Sequence, residues 1–140
     1  MIYCLCYISK KSDSLDVEGV RSIVSTSQKN NDAKEITGVL VEYKSDFLQY
    51  LEGDPVEIYK LFNKIKSDER HYDVNLLQYS PLENPLFSGW AMVYRDLDRL
   101  DSVDRDKYNQ CIETIEGIND KRSFWKGIKA IEILSNLIDD

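Results

Sequence analysis

The sequence predicts an α+β domain. β-rich runs and helical stripes alternate in the order β-α-β-β-α-β-β, a hairpin sits at the centre, and two further helical patterns close the chain. That order fits a ferredoxin-like sheet with the first two helices packed on one face. With 140 residues, 42% hydrophobic and 31% charged, the chain is long and apolar enough to bury a core without disulfide or metal staples.

Ile2 to Ser9 reads as the first strand, with Tyr3, Leu5 and Tyr7 on one face and Cys4, Cys6 and Ile8 on the other. Ser14 is placed to cap a helix running to about Lys29, where Val17, Val20, Ile23, Val24 and Ser27 make the inward stripe and Asn30 and Asn31 end it. Ile36 to Tyr43 and Phe47 to Leu51 are strands that pair antiparallel across Lys44, Ser45 and Asp46. Asp54, Pro55 and Glu57 spell a capping box, and Ile58, Leu61, Phe62 and Ile65 then recur at helical spacing. Val74 to Tyr79 and Trp90 to Arg95 supply two more strands, joined by a loop containing Pro81 and Pro85.

The last helical patterns span about Asp104 to Glu116 and Lys121 to Ile138, around Gly117 and Asn119. Parity gives them a task. Cys4, Cys6, Leu48 and Tyr50 face away from the first two helices, so the second face of the sheet needs cover. Phe124, Ile128, Ile131 and Leu134 form a stripe suited to that face or to another subunit.

A net charge of −7 without a run of Lys or Arg removes the electrostatic attraction on which nucleic-acid binding depends. No apolar stretch is long enough to span a bilayer, and Met1 to Ser9 lacks the pattern of a signal peptide. With Cys4, Cys6 and Cys111 read as reduced thiols, the expected location is the cytoplasm. Cys4 and Cys6 beside a single histidine do not complete a tetrahedral metal set, so no metal is expected. Strand alternation and the Asp54 cap account for the carboxylates of Glu52 and Asp54 without catalysis, and the pair Phe124 and Trp125 reads first as packing. His71 with Arg70 reads as a solvated imidazole near a helix C-terminus, favoured by the helix dipole, as readily as a ligand contact.

Five blocks taken together carry a family likeness: YCLCYIS at Tyr3 to Ser9, NNDAKEITGVL at Asn30 to Leu40, FLQYLEG at Phe47 to Gly53, DERH at Asp68 to His71, and FSGWAM at Phe87 to Met92. In this order and spacing they resemble the BLUF domain. The resemblance covers roughly Met1 to Arg95. It implies a flavin-binding unit at residues 1–97, with 98–140 a helical extension on the sheet or at an oligomer interface. The implied cofactor is FAD, with FMN or riboflavin as variants, its ring inserted between the two helices that carry Ile23 and Ile65. Asn31 matches the residue that hydrogen-bonds the ring edge, an amide offering both donor and acceptor. Ser27, Phe47, Gln49, Leu51, Asp68, Arg70 and His71 match further positions around the flavin. Tyr7, Gln49 and Met92 match the photochemical trio, with Trp90 as the alternative neighbour of the glutamine. The hairpin tip departs from many relatives in having no glycine, and no G-x-G-x-x-G phosphate cradle occurs.

The function so implied is that of a blue-light photoreceptor and not an enzyme. Light drives proton-coupled electron transfer from Tyr7, Gln49 rearranges by rotation or tautomerisation, and contacts with other proteins switch. The segment after Arg95 has room only for two helices, so the expected partners are a second copy of the chain and a separate effector protein. Two rivals share the scaffold. A small acyl-phosphate hydrolase would want a cation near the first strand, and Met1 to Ser9 has none. A ligand-free interaction module would have no need of Tyr7, Asn31 and Gln49 together.

Overall fold

The computed structural model describes residues 1–119 and 124–137, apart from the side chains of 119 and 124–128. Five strands form one mixed sheet in the order β4-β1-β3-β2-β5. They are β1 (Ile2–Lys11), β2 (Thr37–Tyr43), β3 (Asp46–Gly53), β4 (His71–Leu82) and β5 (Val93–Asp96). Helices α1 (Val17–Ala33) and α2 (Pro55–Lys66) follow β1 and β3, and α3 (Ser102–Glu116) and α4 (Phe124–Leu137) follow β5. The first four strands give the expected antiparallel ferredoxin-like core. The fifth lies parallel to β2 at the far edge, so Glu83 to Met92 cross the sheet from one edge to the other.

Pleat parity sorts the core into two clusters. Leu5, Tyr7, Leu40, Phe47, Leu51 and Met92 pack with Val20, Ile58 and Phe62 under α1 and α2. Cys4, Cys6, Val39, Val41, Leu48 and Tyr50 pack with Tyr108, Cys111, Ile112, Ile115, Ile131 and Leu134 of α3 and α4. The C-terminal helices thus cover the second face, as the unpaired parity required. Phe124, Trp125 and Ile128 lie outside the described side chains, and Lys121 and Ile138 outside the described residues.

Several local readings need correction. Asp16, not Ser14, caps α1, accepting from the Gly19 N–H at 2.8 Å, while the Ser14 hydroxyl meets that of Ser12 at 3.1 Å. Asn30 and Asn31 do not end the helix, which runs to Ala33. The Asn31 amide is committed to Ala91 O rather than to its own backbone, and termination falls at Glu35, whose φ is +56°. Asp54 caps α2 as expected, but Glu57 pairs with Lys34 at 3.5 Å. The hairpin turn is two residues long, since Tyr43 pairs with Asp46. Lys44 and Ser45 both take positive φ, and the Asp98 carboxylate holds the Lys44 N–H at 3.0 Å, supporting a conformation usually left to glycine. Trp90 is not in a strand. β5 begins at Val93, where the parallel ladder with β2 starts at Val39.

Gly38 shows why β2 tolerates no side chain at that place. A Cβ there would lie 2.1 Å from the Tyr50 carbonyl, and the bare backbone instead lets its N–H donate to Trp90 O at 3.0 Å.

Candidate functional site

A cleft open to solvent lies between α1 and α2 above the sheet. Ile23 and Ser27 line one wall, Leu61 and Ile65 the other, and Tyr7, Leu40, Phe47 and Gln49 the floor. Asn31, Asp68, Arg70 and His71 complete the lining at its polar edges. The local reason is periodicity. Ile23, Ser27 and Asn31 follow one another at four-residue spacing on α1, as Leu61 and Ile65 do on α2, so each helix turns one stripe to the gap.

At the floor, the register pairs Tyr7 with Gln49 across β1 and β3. The Tyr7 hydroxyl donates to Gln49 Oε1, and Gln49 Nε2 lies 4.0 Å from Met92 Sδ. All three side chains are at most 5% exposed. Burial pushes the Tyr7 phenol well above its ordinary acidity range, and the nearby Cys6 and Asp68 push the same way. Tyr7 therefore stays a protonated donor in the ground state. Its ring packs against Phe62 at 5.6 Å and against His71 at 6.0 Å.

His71 opens β4 and is buried, not solvated. Its Nε2 donates to Ile65 O at 2.6 Å, which in the neutral ring leaves Nδ1 to accept from the Ser9 hydroxyl at 2.8 Å. It thereby fastens the last turn of α2 to the sheet and holds that wall of the cleft in place. At the mouth Arg70 grips Asp68 through Nε at 2.9 Å and Nη2 at 2.5 Å. The guanidinium keeps the Asp68 carboxyl below the ordinary carboxylate range.

Asn31 is 1% exposed, and its Nδ2 donates to Ala91 O at 2.8 Å. The same side chain lines the cleft. A flat flavin ring fits this donor set: apolar walls for its faces, and the Asn31 and Gln49 amides for its hydrogen-bonding edge.

Two of the sequence-derived positions lie elsewhere. Leu51 is fully buried in the core under α1 and α2 and is not among the residues that line the cleft. Trp90 is 37% exposed on the crossover, and it is Met92 that stands beside Gln49. The strand parity that paired Trp90 with Met92 does not apply outside a strand.

Sequence reasoning missed Leu40 and Leu61 in the lining, Ser9 behind His71, and Glu52. The Glu52 carboxylate is 1% exposed and accepts from Thr37 Oγ1 at 2.7 Å, Tyr50 OH at 3.0 Å, and the N–H groups of Leu86 and Phe87 at 2.9 and 2.7 Å. It anchors the crossover that delivers Met92. The only signal in the sequence was an acidic residue at a strand position that alternation makes inward. Among the described residues no group of His, Cys, Asp and Glu could hold a metal ion, and no helix is long and apolar enough to cross a membrane.

Comparison with known proteins matches residues 2–93 to the family model BLUF, described as sensors of blue-light using FAD. Over 89 residues the chain is 30% identical to photoactivated adenylate cyclase subunit beta of Euglena gracilis, covering 63% of this chain and 10% of that protein. A bacterial light-regulated adenylyl cyclase superposes with a TM-score of 0.77 at 33% identity, over 84% of this chain and 34% of its own. BlsA in its ground state superposes with a TM-score of 0.69 at 28% identity, over 79% and 72% of the two chains. The chain thus spans about a tenth of the Euglena protein and about a third of the bacterial cyclase.

Proposed function

Because the chain belongs to the BLUF family of sensors of blue light using FAD, we propose that it is a photoreceptor that holds a flavin in the cleft between α1 and α2. FAD is the flavin we assign. FMN and riboflavin carry the same ring, and it is the ring that the Asn31 and Gln49 amides address. The observation that carries the reading is the buried relay at the cleft floor, from the Tyr7 hydroxyl to Gln49 Oε1 with Gln49 Nε2 facing Met92 Sδ.

When bound, the flavin supplies absorption of blue light and, once excited, a strong one-electron oxidising site. Tyr7 is the phenol placed to answer it. A phenol that loses an electron becomes strongly acidic, so its proton leaves with the electron along the existing hydrogen bond to Gln49 Oε1. Both return on recombination, so atoms and electrons balance over the cycle. Gln49 is the element that remembers: its donor and acceptor ends exchange by rotation or tautomerisation, and the Met92 side meets a different edge. Thermal relaxation follows because the ground pattern is lower in free energy.

The output we assign is a change of protein contact, through the crossover and β5 to α3 and α4, reaching a second copy of the chain or a separate effector. This divides the chain into a sensor at 1–97 and a helical cover at 98–140. We place the protein in the cytoplasm on the strength of its buried free thiols Cys4, Cys6 and Cys111. Burial pushes the Cys111 thiol up to about 12, so it is unreactive at neutral pH.

Tyr7→Phe and Gln49→Leu test the relay. Each should retain flavin and lose the light-induced red shift, because ring packing survives and the hydrogen-bonding group does not. Amide exchange across α3 and α4 should differ between light and dark in the wild type and be the same in Tyr7→Phe. A normal photoshift in either variant would remove the relay from the mechanism, and identical exchange in a photoactive wild type would remove the helices from the output.

A further inference from the structure

Three successive carbonyls just ahead of β5 are each held by an N–H donor from another part of the chain. Trp90 O accepts from the Gly38 N–H at 3.0 Å, Ala91 O from Asn31 Nδ2 at 2.8 Å, and Met92 O from Gln28 Nε2 at 3.1 Å. Two of these donors are side chains one helical turn apart on α1. Residues 90–92 are thus clamped to α1 as well as to β2, although they belong to neither sheet nor helix.

Asn31 lines the cleft and Gln28 does not. Gln28 is an exposed residue whose amide reaches over the helix end to the backbone of the residue whose sulfur faces Gln49. A glutamine on the solvent side of a helix loses side-chain freedom by making such a bond, so its bland role would be solvation. Here the bond fixes where Met92 begins.

We propose that Gln28 is a positioning residue for the photoswitch, pinning the Met92 backbone in the register that favours the dark arrangement of Gln49. The inference rests on the photoreceptor reading and deepens it. When the amide of Gln49 presents its other end, Met92 must re-pack, and the Gln28 bond draws it back. Removing the donor leaves the switched arrangement with a weaker pull to return, so thermal recovery slows by about five-fold, the rate equivalent of one ordinary hydrogen bond.

The test uses full-length flavin-loaded protein. Wild type, Gln28→Leu and Gln28→Arg are illuminated, and the decay of the red-shifted absorption is followed in the dark. Gln28→Leu should show the wild-type photoshift and recover at least three-fold more slowly. Gln28→Arg, which restores an N–H donor, should recover within two-fold of wild type. A Gln28→Leu recovery less than three-fold slower overturns the proposal, as does a Gln28→Arg protein that fails to regain the wild-type rate, since packing would then explain the effect. Wild type that binds flavin without any photoshift overturns the photoreceptor reading itself, and is told apart because it fails before any variant is compared.

Discussion

Three tyrosines shape the alkaline stability of this molecule. Burial holds the phenols of Tyr7, Tyr50 and Tyr94 far above their ordinary value of 10.0. Their folded-state pKa values are raised, so the unfolded chain loses these protons first. Stability from this source is complete below about pH 10 and falls as the pH rises beyond it. The urea midpoint should therefore be insensitive to these groups from pH 8 to 10 and drop above that, and less steeply in Tyr7→Phe. An equal slope in wild type and Tyr7→Phe would show that Tyr7 ionises freely in the fold. At this scale the sequence was informative where a motif and its parity agreed: Tyr7, Gln49, Asn31, Phe47, Ile23, Ser27, Ile65 and His71 all line one cleft. Leu51 and Trp90 were not separable from their neighbours, because a motif gives spacing and not which of its side chains reach the cleft. Ser9 and Gln28 left no signal, since each acts through a partner more than 60 positions away.

Elements were legible wherever local chemistry alone decides them. The Asp54–Pro55 start of α2, the hairpin and the two faces of β1 follow from capping, turn length and alternation. The C-terminal end of α1 and the start of β5 do not, because long-range partners fix them: Asn31 with Ala91, and Val93 with Val39. The start of the crossover is held by one side chain. The Glu52 carboxylate accepts from the Leu86 and Phe87 N–H groups, and it holds Thr37 and Tyr50 as well. Glu52→Ala would leave buried donors without an acceptor, at a cost of at least about 3 kcal/mol. Denaturant titration checks this, and a loss below about 1 kcal/mol would mean that the Leu86–Phe87 segment has another anchor.

As a whole, the molecule is a sheet between two unlike layers: a cleft built from α1 and α2 on one face, and the α3–α4 cover on the other. Parity of β1 and β3 alone forecast that second layer, and the five ordered motifs pointed to the family whose model matches residues 2–93. What the sequence could not place is the crossover between the sheet's two edges, since nothing local to Glu83 to Met92 tells which edge β5 joins. The central claim is that this cleft makes the chain a reversible blue-light switch. Its most direct test is the absorption spectrum of the purified protein loaded with FAD, taken in the dark, under blue light and again after dark recovery. The account predicts a bound flavin whose band moves to the red on illumination and returns completely in the dark. A protein that takes up no flavin, or whose bound flavin absorbs identically before and during illumination, would contradict it.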